Sequence, residues 1–306
     1  MPTNENKRGN APTLVVGATG MVGSEICRRL TALGRPVRAL VRTTSDPAKV
    51  AKLKDLGVET VQGDLCNLAS LQSPCRGAGA VISTASSMPF SYRPGENDIR
   101  CVDLEGIMNL ITVAKAAGVQ HFVYTSFSGN LDLDFPLRNA KRKVEQTLKE
   151  SGLVYTILRP SMFMEVWLSP AVGFDAAKAQ AQIYGAGDQP ISWISLQDVA
   201  QFAVACLDNP AARSATLELG GSEALSPHQV IKTFEQASGR TFEVTHVPPE
   251  ALQAQLKGAT DPMQQSFVGL MLCYAKGDPI DMRAALKSFP MNLVSVQDYA
   301  RRALGN

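Results

Sequence analysis

A β-branched run, Thr13-Leu-Val-Val, leads directly into Gly17-Ala-Thr-Gly20-Met-Val-Gly23. The chemistry open to such a segment is anion binding through the backbone. Gly17 permits a tight turn, Gly20 lets the main chain approach a pyrophosphate, and Gly23 lets the next helix lie close to the sheet. That helix carries Met21, Val22, Ile26 and Leu30 on one face. Its first N–H groups and its dipole supply an anion site, so Gly17, Thr19, Gly20, Met21, Val22 and Gly23 are the expected contacts. A glycine triplet alone is weak evidence, since turns also use glycine. Here it follows a strand, opens an amphipathic helix and begins a βαβ unit, and dinucleotide binding is the expectation.

The end of the second strand bears on which dinucleotide. A carboxylate there would accept hydrogen bonds from a ribose 2′-hydroxyl. This chain has Arg42 followed by Thr43, Thr44 and Ser45, and no acid anywhere in 36–45. A cation flanked by hydroxyls suits a 2′-phosphate, which points to NADP. Arg38, earlier on the same strand, is expected to be a solvated strand arginine.

The elements that must position these residues are legible from period and punctuation. Strands are expected at Thr13–Gly17, Pro36–Val41, Val58–Gln62, Ala80–Thr84, His121–Thr125 and Val154–Leu158, with helices near 20–33, 47–56, 67–74, 97–117 and 137–151. Asp46-Pro47 and Asn67 are expected helix starts, and Gly34, Gly57, Gly118 and Gly152 expected stops. Strands alternating with helical periods give an α/β fold, a doubly wound parallel (Rossmann) sheet. After Arg159-Pro160 the rhythm changes to a stretch rich in Met, Phe, Trp and Ala. The expected division is a tail at 1–12, a nucleotide-binding domain at 13–160 and 191–221, and a smaller cap at 161–190 and 222–306.

Composition bounds the rest. The 306 residues are 45% hydrophobic, enough for a full core, and 30 basic against 28 acidic residues leave a net charge of +2. Neither the balance nor any aromatic–basic interleaving supports nucleic-acid binding. Six scattered cysteines show no paired spacing, so no disulfide framework is expected, and three histidines lack metal-ligand spacing. The polar start has no apolar leader, and the run Phe267–Ala275 is about half a membrane span. A cytoplasmic protein with no membrane span is the expectation.

The G-x-x-G-x-x-G spacing resembles the short-chain dehydrogenase/reductase superfamily in its extended and atypical branches. Gly63-Asp64-Leu65 after strand three is similar to that family's adenine-side aspartate, so Asp64 and Leu65 join the expected cofactor contacts. "AGVQHFVYTSFSG" (117–129) and "GLVYTILRP" (152–160) resemble its fifth and sixth strands. Within the superfamily the likeness is to NmrA-like proteins and their reductase relatives. It covers 13–220 well and the end of the chain loosely.

Ordinary members carry Tyr-x-x-x-Lys after strand five, the phenol giving a proton and the lysine holding the nicotinamide ribose. Here the helix reads Leu137-Arg-Asn-Ala-Lys141-Arg-Lys-Val-Glu145, so the lysine is in register and the tyrosine is absent. The serine partner falls among Thr125, Ser126 and Ser128, with Ser126 taken as the candidate. Tyr92, in the loop after strand four, is the residue there whose acid group could replace the phenol. That loop offers Met88 and Phe90 and the segment after strand six offers Phe163 and Trp167, an apolar wall of the kind small-molecule pockets use. Core packing is the competing account of those side chains.

Two functions follow from the resemblance. One is an NADPH-dependent reductase of a small apolar carbonyl, quinone or activated alkene, with Lys141 as the acid or relay. The other is a non-catalytic NADP(H)-binding redox sensor or assembly protein, for which a protein partner replaces the small-molecule substrate. Sugar-nucleotide chemistry normally needs the tyrosine, so Leu137 counts against it.

Overall fold

The computed structural model describes residues 11–89 and 91–305. The polar start at 1–10 and Phe90, an expected pocket residue, lie outside the described residues. All four residues of β1 (Thr13–Val16) are buried, the pattern of a strand covered on both faces. β1 turns at Gly17 into α1 (Met21–Ala32), which buries Gly23, Ile26, Cys27 and Leu30. β2 (Val37–Val41), α2 (Pro47–Asp55) and β3 (Glu59–Gln62) follow. Asp46 caps α2 by accepting from the Ala48 N–H at 2.9 Å, with Pro47 in the first turn. A short α3 (Gln72–Cys75) precedes β4 (Ala80–Ser83). Next come a π-helical segment (Ile99–Gly106), α4 (Ile107–Ala116), β5 (His121–Thr125), α5 (Pro136–Glu150) and β6 (Tyr155–Pro160). The remaining strands are β7 (Phe174–Asp175), β8 (Gln180–Tyr184), β9 (Ala215–Leu219) and β10 (Glu243–Val247).

The main sheet has seven strands in the order β3-β2-β1-β4-β5-β6-β9. β1 pairs in parallel with β2 (Thr13↔Val37) and with β4 (Thr13↔Ala80). The pairs β2–β3, β4–β5 and β5–β6 are parallel as well. This is the doubly wound Rossmann arrangement. Its winding reverses between β1 and β4, which opens the crevice at the carboxyl ends of those strands where such sheets bind ligands.

The chain forms two compact units. The first takes the described part of Met1–Ser126 with Asn139–Leu158 and Ala200–Leu217. Its core includes Leu14, Val81, Leu110, Phe122, Val144 and Ile157, all fully buried. Each such side chain contributes about 1.5–3 kcal/mol through burial. The second unit takes Phe127–Arg138, Arg159–Val199 and the described part of Glu218–Asn306. It holds a small sheet in the order β10-β8-β7, in which β8 runs parallel to β10 and antiparallel to β7. Phe174 packs its ring on Phe234 and Phe242 at 4.8 and 5.6 Å.

Four details depart from the sequence reading. The helix expected over 97–117 begins as eight π-helical residues, with Asp98 accepting from the Cys101 N–H at 2.8 Å. Asn67 makes no side-chain cap. Ser70 holds that turn instead, its Oγ donating to the Asn67 carbonyl at 2.7 Å and accepting from the Asp64 N–H at 2.9 Å. Arg38 is not a solvated arginine, because it donates to Glu59 at 3.0 Å and to the carbonyls of Pro74 and Arg76 at 2.9 and 2.8 Å. Cys66 and Cys101 form a disulfide across 35 residues, joining a loop position to the π-helical segment, a pairing that spacing alone does not announce. Among the described residues, no helix is long and apolar enough to cross a membrane.

Candidate functional site

The β1–α1 turn is built of backbone pressed against backbone. Gly17 has φ +86°, and a Cβ there would come within 2.8 Å of Thr84 Oγ1 and 2.9 Å of the Ala85 N, at the end of β4. A Cβ on Gly23 would sit 2.2 Å from the Gly17 carbonyl, so the close approach of helix and turn excludes every side chain there. Gly20 differs. Its φ of −81° is ordinary extended backbone, so no forbidden dihedral requires glycine, and a Cβ would meet only the Gly17 carbonyl at 3.1 Å. Gly20 is also the N-cap of α1 and supplies no side-chain cap. The start of α1 therefore presents N–H groups that no capping side chain covers.

Arg42 stands where β2 ends. Its backbone closes a turn with Ser45, whose Oγ accepts from the Arg42 N–H at 2.9 Å. Its guanidinium is half-buried and donates to the Asn97 Oδ1. Asn97 is buried, its amide in turn donating to the Ser91 carbonyl at 2.5 Å. Asp64 is half-buried and accepts from the Cys66 N–H at 2.9 Å, while Leu65 is buried against Gly106.

Lys141 is the best-enclosed cation of the first unit, 5% exposed. That position on α5 is no solvated helix lysine. Its Nζ donates to the Thr125 carbonyl at 3.4 Å, stands 3.6 Å from Asp103 Oδ1 and lies 5.3 Å from the Tyr124 ring centroid. Burial depresses the lysine pKa, with Asp103 and Glu145 opposing and Arg142 adding to the effect. Burial drives the Tyr124 phenol the other way, far above its usual value, and the Asp103 and Glu145 charges push in the same direction. Ser126 is buried and donates to Glu145 Oε1 at 2.6 Å, and Arg142 donates to the same oxygen at 2.8 Å. The fold thus brings Ser126 to Glu145 and Arg142, and Lys141 to Thr125, Asp103 and Tyr124. Ser128 is committed elsewhere, donating to Asp278 Oδ1 at 2.7 Å in the second unit.

Leu137, where a phenol would stand, is buried, and its N–H donates to Ser266 Oγ at 3.0 Å. The expected wall residues are divided. Met88 and Tyr92 are half-buried in the loop after β4, in the first unit. Phe163 and Trp167 belong to the second unit, where Trp167 stacks with Tyr274 at 5.4 Å and meets Tyr184 edge-on at 6.5 Å.

Sequence reasoning missed Asp103, Tyr124 and Asn97. A signal for Asp103 was present: it stands among Ile99, Ile107 and Leu110 at helical spacing, a lone acid on an apolar stripe. Asn97 had no such signal, because its partner Arg42 lies 55 residues away.

Comparison with known families matches residues 10–299 to the family described as the NmrA-like family. The NAD(P)H azoreductase of Xenophilus azovorans is 31% identical over 281 residues, covering 90% of this chain and 91% of that protein. The photosystem II assembly factor Ycf39 of Trieres chinensis is 30% identical over 237 residues, 77% of this chain and 72% of that protein. Among solved structures, the NADPH-dependent quinone oxidoreductase QOR2 of Escherichia coli, complexed with NADPH, superposes with a TM-score of 0.76. It is 24% identical and covers 96% of this chain and all of that one, a likeness of fold.

Proposed function

The chain belongs to the NmrA-like family, and from that premise we propose that it is an NADPH-dependent reductase of a small apolar carbonyl, quinone or activated alkene. One observation carries the reading: Lys141, an ammonium with a lowered pKa, is enclosed at the carboxyl end of β5 beside a carboxylate. A lysine that served only solubility would not be desolvated at this cost.

The donor set fits the cofactor. A turn that admits no side chain at Gly17 and Gly23 and an uncapped α1 suit a pyrophosphate held by Thr19, Gly20, Met21 and Val22. Arg42 bonds a neutral amide, which leaves its charge for a 2′-phosphate, and Asp64 and Leu65 are assigned to the adenine side. Lys141 holds the nicotinamide ribose and gives a proton to the reduced substrate. When bound, NADPH supplies the hydride. Lys141 has three N–H donors, one of them on the Thr125 carbonyl with Asp103 3.6 Å away. Ser126 is engaged by Glu145, and its work is to orient that network. Met88 and Tyr92, in the loop after β4, are assigned to the substrate side.

The azoreductase and the quinone oxidoreductase support reduction as the activity. A second reading, a non-catalytic NADP(H)-binding sensor or assembly protein, is favoured by the apolar Leu137 and by the likeness to Ycf39. NADPH oxidation over a panel of quinones, enals and azo dyes, run beside calorimetric NADPH binding, separates the two. Turnover supports the reductase, and tight binding with none supports the sensor.

A further inference from the structure

We infer that Asp103 is the positioning residue for Lys141, its buried carboxylate fixing the ammonium and tying it to the loop after β4 through Ser87. This rests on the reading that Lys141 faces the bound cofactor.

Asp103 is fully buried in the π-helical segment, where a lone carboxylate is costly unless compensated. One oxygen is satisfied: Oδ2 accepts from the Ser87 N–H at 3.0 Å and from the Ser87 hydroxyl at 2.6 Å. The other, Oδ1, is buried with no hydrogen bond and stands 3.6 Å from Lys141 Nζ. At that separation the carboxylate compensates the charge of the ammonium. Four titratable or charged groups face the ammonium: Asp103, Tyr124 from β5, and Glu145 and Arg142 from its own helix. Glu145 is already bonded by Arg142 and Ser126. Asp103 is the carboxylate left to balance Lys141. The π-helical segment ends at Gly106, where a Cβ would come within 2.6 Å of the Cys101 carbonyl and 2.7 Å of Leu65. Such insertions recur where a helix must re-aim a side chain at a functional site.

A purely structural Asp103 would serve Ser87 alone, and proton linkage distinguishes the two roles. NADPH binding is measured by calorimetry in buffers of different ionisation enthalpy from about pH 6 to pH 10, across the lysine range. Asp103→Asn removes the charge while keeping an acceptor for Ser87. It should move the midpoint of the linked protonation down by at least about one pH unit, a tenfold change. Asp103→Glu should return it toward the wild type, and Ser87→Ala should leave it in place. An unmoved midpoint in folded Asp103→Asn overturns the assignment, as does an equal shift in Ser87→Ala. Thermal unfolding supplies a readout that needs no cofactor. Asp103→Asn should lower Tm in the wild-type background and raise it in Lys141→Met, where it removes an unpaired buried carboxylate. The same sign in both backgrounds also overturns the assignment. Zero turnover in the wild type, with a shifted midpoint in Asp103→Asn, would defeat the reductase reading and leave Asp103 standing. Turnover with an unmoved midpoint would defeat Asp103 alone.

Discussion

Replacing Arg42 by glutamate tests the cofactor assignment at its most discriminating atom. Three features fix what the side chain is worth. The 42–45 backbone is closed by Ser45, whose N–H donates to the Arg42 carbonyl at 3.0 Å, so little ordering is needed on binding. The guanidinium bonds the neutral Asn97 amide, and among the described residues no carboxylate pairs with it, so its charge is intact. It is half-buried, which retains part of the solvent screening. A hydrogen bond to a charged partner is worth about 1.5–3 kcal/mol. Partial exposure argues for the lower half of that range, about 10–50-fold in affinity for NADPH over NADH. Arg42→Glu removes this contact and sets a carboxylate against the 2′-phosphate, so NADPH affinity should fall by at least about 100-fold. NADH affinity should hold or improve, because a carboxylate accepts from the 2′-hydroxyl. Calorimetry with both cofactors at low and high salt is the assay, and the wild-type preference should shrink as salt rises. Equal affinities for the two cofactors in the wild type, or an unchanged preference in folded Arg42→Glu, would refute the reasoning.

Gly23→Ala and Gly20→Val should part company. The first drives a Cβ to 2.2 Å from the Gly17 carbonyl and should unfold or strongly destabilise the chain. The second meets one carbonyl at 3.1 Å and should fold while losing NADPH affinity, so normal affinity in folded Gly20→Val would reduce the motif to a turn. Lys141→Met should cost about 10²–10⁴ in turnover and only about 1.5–3 kcal/mol in NADPH binding. It should also cost about 3–5 kcal/mol in urea melts, from the carboxylate left unpaired. Unchanged turnover would remove Lys141 from the mechanism. His121 is buried, with Thr156 Oγ1 2.8 Å from Nε2, and burial aided by Arg213 pulls its pKa down to about 4. A depressed folded pKa means the unfolded chain takes up the proton first. Stability is therefore complete above the ordinary histidine value and lost as pH falls toward about 4. About 2 kcal/mol should disappear between pH 7 and 5, and His121→Gln should flatten that slope. An equal slope in the variant would place the acid sensitivity elsewhere.

What the sequence made legible was local. The glycine turn, the sheet strands and the Asp46 cap each depend on residues within one or two turns of one another. The glycine stops at 34, 57, 118 and 152 all adopt positive φ as punctuation predicts. Arg42 was found because its meaning lies in the missing acid beside it, and the register of Lys141 came from the family resemblance. What escaped was set by tertiary contact. Arg38 looked solvated because its partners come from β3 and the end of α3. Ser126 carried no sign of its commitment to Glu145, 19 residues on. A helical period cannot report an inserted π turn, so the 97–117 stretch read as one regular helix, with Asp103 as a lone acid on its apolar stripe.

The missing phenol sharpens the question of where a proton could come from. Tyr124 lies beside Lys141 and would be the obvious substitute, yet its hydroxyl is buried without a hydrogen bond and burial holds its pKa far above the ordinary value. Such a phenol keeps its proton through any cycle near neutrality. The lysine beside it is shifted the opposite way by the same burial, which makes its ammonium a stronger acid than a solvated one. Two neighbouring groups driven apart by one environment divide into a group that gives a proton and a group that does not. The ammonium still needs a counter-charge, because an unpaired buried cation is costly. Asp103, 3.6 Å away and fully buried, provides it. On the proposed reductase reading the proton donor is therefore the lysine, while Leu137 stands buried where the phenol would be.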